Sequence, residues 1–320
     1  MKFVFGPVPS RRLGQSLGID PVPLKTCNWN CVYCQLGRSK PLLNERREYF
    51  QREDILAEAE QTLAAHAPGE IDWVTFVGSG ETTLHASIGW LVRQVKSLTH
   101  LPVAVITNGT LLNQPELRTD LSPADAVLPS LDAGNACLYR KINRPWSKLI
   151  FNLLQEGMIA FRRQYTGQLW VEVMLVKDLN DTAESLQEIA IALKRIRPDQ
   201  VHLLLPTRPP AESWVTPSDE SGVQRALAIL GAVANVIIPA SDSDIKITSV
   251  ADGDNLEQAI LGIVTRHPMH EKELFNVLST WSTEEVYLTL EKLLSASKVQ
   301  VIKRYGQSFW SASISYYEGK

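Results

Sequence analysis

Cys27-Asn-Trp-Asn-Cys31-Val-Tyr-Cys34 sets three thiols within eight positions, with three and then two residues between them. Side chains this close in sequence can converge on one centre from a loop, where several residues turn inward together. Such a cluster does not look like a secreted disulfide framework and reads as a metal site. An iron–sulfur cube normally takes four protein ligands. Three clustered cysteines leave one position open, by the logic that leaves an open position on catalytic zinc. The remaining cysteine, Cys137, lies far along the chain. On the cysteines alone two readings stand: a cluster with one open iron, or a zinc site completed by a remote His or by Cys137.

Outward from this loop, the chain alternates short apolar runs with longer amphipathic ones. Strands are expected at Ser16–Asp20, Ile71–Val77, Pro102–Thr107, Ala126–Leu131, Leu169–Val176, Gln200–Leu205 and Asn235–Pro239. They are rich in Val, Ile and Leu on both faces, as parallel strands buried between helices should be. Helical stretches lie near 51–67, 85–99, 146–163, 181–196 and 218–233, and Asp181-Thr-Ala-Glu184 has the spacing of a helix start. About six βα repeats with right-handed crossovers wrap into a closed or partly open barrel. The strands end in polar or glycine-rich signatures: Gly78-Ser-Gly-Glu81, Asn108-Gly109, Asp132, Lys177 and Pro206-Thr-Arg208. Ligands of parallel α/β folds bind at those ends, so the signatures read as one site.

The Cys-x3-Cys-x2-Cys pattern, with an aromatic before the last cysteine, resembles the signature of the radical S-adenosylmethionine (SAM) superfamily. The resemblance implies a partial (β/α)6 barrel over roughly residues 10–240. It implies a [4Fe-4S] cluster on Cys27, Cys31 and Cys34 whose open iron binds the amine and carboxylate of SAM. One electron, from a donor such as flavodoxin or ferredoxin, would then release methionine and a 5′-deoxyadenosyl radical. Tyr33 matches the position beside the adenine. Gly78, Ser79, Gly80 and Glu81 match the motif that holds the methionyl ammonium, a task suited to close backbone approach and a carboxylate. Asn108, Ser130 and Asp132 fall where the family contacts the SAM carboxylate and ribose, and Leu205 where the last strand flanks the adenine. This placement makes zinc improbable.

A narrower likeness rests on Phe5–Gly14, Cys34–Gly37, Lys141–Pro145 and Leu205–Ala211. These stretches look like a bacterial Fe-S oxidoreductase group related to the wyosine-synthesising tRNA enzymes. Those enzymes hold a second cluster through further cysteines; here only Cys137 is left, which puts wyosine-type condensation in doubt.

Arg11, Arg12, Arg144, Lys177 and Arg208 are expected near the barrel mouth as anion-binding substrate contacts, and Glu172 as an inward-facing acid or ligand. Residues 1–50 carry eight Lys or Arg against three acids, whereas the whole chain has a net charge of −3. That balance disfavours a general nucleic-acid binder but allows a local basic rim. No stretch approaches the roughly 20 apolar residues of a membrane span, and a cytoplasmic enzyme is expected.

A boundary near residue 250 divides a barrel domain, 1–250, from a winged-helix-like domain, 251–320. The latter is read from helical patterns at 255–266, 269–278 and 283–295, strands at 299–304 and 308–313, and a Gly306-Gln307 turn. Its candidate recognition helix carries Glu284, Glu285 and Glu291 against Lys292, so DNA reading is disfavoured. Lys303, Arg304, Tyr305, Phe309 and Trp310 could grip RNA, or a peptide along a strand edge. The rival reading is an iron–sulfur redox sensor that uses this domain to bind nucleic acid.

Overall fold

The computed structural model describes residues 3–10, 12–239 and 255–317. One eight-stranded sheet follows chain order: β1 (Val4–Ser10), β2 (Gly14–Ile19), β3 (Trp73–Phe76), β4 (Val103–Thr107), β5 (Ala126–Pro129), β6 (Gln168–Met174), β7 (Gln200–Leu204) and β8 (Val236–Ile237). From β2 to β8 every neighbouring pair is parallel. All seven expected strands are present. The eighth, β1, pairs antiparallel with β2 and was not expected. Pro7 and Pro9 break its sequence pattern, yet proline is tolerated on an edge strand, where a missing N–H leaves no ladder bond unmade.

Helices α1 (Arg52–Ala64), α2 (Ile88–Leu98), α3 (Pro115–Leu121), α4 (Ala136–Ile142), α5 (Phe151–Gln164), α6 (Ala183–Ile196) and α7 (Glu220–Gly231) connect the strands. Helices α3 and α4, at seven residues each, are too short to show a periodic signal. The N-cap of α6 is Thr182, whose hydroxyl accepts from Ser185 N at 3.2 Å. Asp181 instead accepts from Ser218 Oγ at 2.7 Å.

Successive strand residues face opposite layers, as the pleat requires. Val74, Val105, Val127, Val171 and Val201 join Leu91, Val95, Phe161 and Leu193 of the helices in the main core, all fully buried. Their neighbours Ala104, Ala126, Leu128 and Trp170 form a smaller inner cluster with Leu13. Side chains of β1 to β4 and of β6 and β7 line one cavity, so the sheet curls around it.

The C-terminal unit contains α8 (Leu256–Arg266), β9 (Met269–His270), α9 (Glu271–Val277), α10 (Thr283–Ser295), β10 (Val299–Arg304) and β11 (Gln307–Ala312). Its three antiparallel strands lie in the order β10-β11-β9. The turn residues are Tyr305 and Gly306, both at positive φ, and Gln307 already belongs to β11. A separate apolar core unites Ile260, Val264, Leu274, Val286, Leu290, Leu293 and Trp310. The expected boundary near residue 250 lies outside the described residues.

This unit sits against the cysteine loop. Tyr317 Oη donates to Gln35 O at 2.6 Å and Arg38 N to Tyr316 O at 2.8 Å. Gly37, at φ 76°, lies so close that a Cβ would stand 2.1 Å from Tyr316 O. Among the described residues no helix is long and apolar enough to cross a membrane.

Candidate functional site

The segment from β2 to α1 is a loop pegged by the residues between its cysteines. Trp29 and Val32 are buried in the core. Trp29 Nε1 donates to Tyr139 Oη at 2.9 Å, Val32 N to Ile142 O at 2.9 Å, and Trp146 N to Asn28 O at 2.8 Å. The pegs come from α4 and its flank. With Trp29 and Val32 pinned there, Cys27, Cys31 and Cys34 all line a cavity of about 390 Å³. Burial, then the charge of Glu81, pushes the Cys27 thiol up to about 12. Burial and the neighbouring thiols Cys34 and Cys27 hold Cys31 well above the usual thiol range. A cationic centre relieves such a penalty by binding the thiolates. Cys137 is exposed on α4 and does not line the cavity.

Facing the thiols, Gly78, Ser79 and Gly80 follow β3. Lys25 N donates to Ser79 O at 2.6 Å and Glu81 N to Thr26 O at 2.8 Å. A Cβ on Gly80 would stand 2.0 Å from Thr26 O, so only glycine admits this backbone contact. The cysteine loop and the glycine loop are therefore one cradle.

The remaining expected residues divide sharply. Tyr33, Leu205, Arg12 and Arg208 line the cavity. Glu81, Asn108, Ser130, Asp132 and Glu172 are not among its lining residues. Buried Glu81 accepts from Thr107 Oγ1 at 2.6 Å, Asn108 N at 2.6 Å and Thr83 N at 3.0 Å. Burial raises its pKa against those bonds. Asp132 accepts from Tyr33 Oη at 2.5 Å, Asn143 Nδ2 at 2.6 Å and Met174 N at 2.8 Å. Half-buried Ser130 bridges to Glu172 along the sheet.

Glu172 is buried and paired with Arg12. The Arg208 guanidinium is held by both carboxylate oxygens of Glu273, at 2.5 and 2.8 Å. Two further residues are held by carboxylates elsewhere. Arg144, at φ 46°, turns to Glu212, with Nη1 2.5 Å from Oε1. Lys177 pairs with Asp219 at 3.0 Å on the surface. Neither lines the cavity. Arg11 lies outside the described residues.

Sequence reasoning missed Asp20, the first residue after β2. It is buried, and accepts from Ser79 Oγ at 2.6 Å and Arg266 Nε at 2.9 Å. Its position at a strand end was the available signal. His202, buried behind Arg12, was missed as well.

Three thiols lining one cavity are a donor set that suits an iron–sulfur centre. Among the described residues no three His, Cys, Asp or Glu side chains are grouped so as to hold one metal ion.

A family model described as "Radical SAM superfamily" matches residues 22–190. A Methanocaldococcus jannaschii protein, named a UPF0026 protein, is 33% identical over 320 residues, 98% of this chain and 97% of its own length. A Brachyspira hyodysenteriae protein named GTPase Obg is 36% identical over 305 residues, 93% of this chain; the match spans only 43% of that protein. Among solved structures, a radical SAM methyltransferase from Sphaerobacter thermophilus superposes with a TM-score of 0.54 at 16% identity, covering 72% of this chain and 67% of that one. This last likeness is one of fold.

Proposed function

Because the chain belongs to the radical SAM superfamily, we propose that it is an enzyme in which Cys27, Cys31 and Cys34 carry a [4Fe-4S] cluster and the adjoining cavity takes SAM. The observation that supports this most is the shared cavity: three half-buried thiols and the Gly78–Gly80 backbone line it together. When bound, cluster and SAM supply a carbon-centred radical that the protein itself cannot make. The chain's own residues bind, orient and exclude water. Trp29 and Val32 fix the loop that presents the thiols. Tyr33 is steered by Asp132, and Met174, Leu204 and Leu205 wall the space with apolar surface.

Arg12, Lys25 and Arg208 line the cavity, and among the described residues no Asp or Glu lines it. Arg12 and Arg208 are paired with Glu172 and Glu273, so Lys25 is the lining cation that suits a ligand carboxylate or phosphate. A small acid, a peptide or an RNA base are substrates of this kind, and flavodoxin or ferredoxin the electron donor. We read the C-terminal unit as winged-helix-like from its order of α8, β9, α9, α10 and the β10–β11 hairpin. Glu284, Glu285 and Glu291 on α10 would repel DNA phosphates, which weighs against a DNA-binding redox sensor. Within the superfamily, the four short motifs support kinship with the wyosine-synthesising group, without its second cluster.

Protein isolated without oxygen should be brown and should release 5′-deoxyadenosine on addition of reductant and SAM. Cys31→Ala should lose both properties. Colour and turnover that survive the change would sink the reading.

A further inference from the structure

Arg266 ends α8 and therefore belongs to the C-terminal unit. Its guanidinium crosses to the sheet, where Nε lies 2.9 Å from Asp20 Oδ2. Both side chains are shielded, at 11% and 3% exposure, so the pair is not screened as a surface pair is. The same carboxylate accepts from Ser79 N, at 3.2 Å to each oxygen, and from Ser79 Oγ at 2.6 Å. Ser79 O in turn accepts from Lys25 N, two residues before Cys27. One chain of contacts thus runs from α8 through Asp20 and the glycine loop to the cysteine loop.

The arginine is held on other sides too. Its Cζ lies 4.8 Å from the centre of the Phe5 ring, its Nη1 donates to Gly262 O at 3.2 Å, and its carbonyl accepts from Gln35 Nε2 at 2.9 Å. Phe5 and Gln35 both line the cavity. A guanidinium fixed this way sets where the carboxylate sits, and the carboxylate sets Ser79. Without the cation, Asp20 would be a buried charge whose remaining partner among the described residues is Ser79.

We propose that Arg266 is a positioning residue for the cofactor: carried by the C-terminal unit, it anchors Asp20 and so holds the Gly78–Gly80 backbone in place for SAM. The proposal rests on the reading that this loop binds SAM. It makes the C-terminal unit a working part of the cofactor site rather than only a reader of some partner.

The test uses the full chain with its cluster reconstituted, labelled SAM in equilibrium dialysis, and amide hydrogen exchange over 77–83 without SAM. Arg266→Gln should weaken SAM binding by roughly tenfold or more, as truncation of one partner of a buried charge pair does. Its iron and sulfide content should match wild type, and Ser79 and Gly80 should exchange faster. Adding Asp20→Asn to Arg266→Gln should restore much of the affinity, because two amides can pair without a stranded charge. Tyr305→Phe removes another contact between the units, the bond from Tyr305 Oη to Val215 O at 3.3 Å, and should leave SAM affinity unchanged.

The proposal is overturned by an Arg266→Gln protein that binds SAM like wild type, or by Tyr305→Phe weakening it equally. It is also overturned by a folded, cluster-loaded double variant as weak as Arg266→Gln. Should Arg266→Gln not fold, the double variant decides alone: near-normal affinity supports the proposal, weak affinity ends it. A wild-type protein with full cluster that ignores SAM would refute the underlying reading instead.

Discussion

The Tyr33 hydroxyl donates to Asp132 Oδ2 at 2.5 Å, which fastens the cysteine loop to the end of β5. The same carboxylate receives Asn143 Nδ2 and Met174 N, so it ties the flank of α4 and the end of β6 to one point. Burial raises the pKa of Asp132, while these donors draw it down.

Removing that knot should be costly. Asp132→Ala leaves three donors without their acceptor and should lower stability by about 3 kcal/mol or more. Tyr33→Phe deletes one donor and should cost about 1–2 kcal/mol. Urea denaturation of the metal-free protein measures both. Equal effects from the two changes would mean that Asp132 does not act as a hub.

Inside the curled sheet, Arg12 and Glu172 form a shielded ion pair. Arg12→Ala strands the carboxylate and should destabilise by roughly 3–5 kcal/mol. The double change Arg12→Met with Glu172→Leu should recover most of that loss, because replacing a buried pair by apolar groups is often neutral. Chemical denaturation of the three variants gives the coupling. A double variant no more stable than Arg12→Ala would contradict this account.

His202 provides a pH test. Burial, and next the charge of Arg12, lower its pKa from 6.5 to about 4. The folded state thus resists a proton that the unfolded chain takes up near 6.5. The resulting stabilisation is complete above that pH and fades as pH falls toward 4. Its full size is about 3 kcal/mol, from 1.36 kcal/mol for each pH unit. The stability difference between wild type and His202→Gln should shrink by that order between pH 7 and 4. A constant difference would show that His202 does not titrate across folding.

Cysteine replacement separates ligand from bystander. Cys34→Ala should sharply lower bound iron and sulfide in protein reconstituted without oxygen. Cys137→Ala should leave both unchanged, because that thiol is exposed on α4, away from the cavity. Iron lost equally from both would remove Cys34 from the ligand set.

What could be read from sequence was local. Strands β3 to β7 were legible because residues buried on both faces give unbroken apolar runs, and β8 by its Val-Ile-Ile run although it is partly exposed. The three cysteines were legible because their spacing alone is chemical information. Strand β1 was hidden by prolines that an edge accepts, and α3 and α4 by their brevity. The direction of charged side chains was not legible, because tertiary pairing decides it. Arg144 follows a helix end with left-handed backbone that swings it to Glu212. Lys177 lies three residues past β6, where Asp219 at the start of α7 captures it. Asp20 and Arg266 are 246 positions apart, and no short-range pattern announces such a pair.

Gly37 gives the assembly a keyhole. Any side chain there would strike the main chain at Tyr316 and prise the terminal segment from the loop that bears Cys34. Grafting experiments must respect that fit: a donor tail will seat on this scaffold only if its own main chain passes position 37 without a bulge. The two halves of the molecule are thereby constrained to change together.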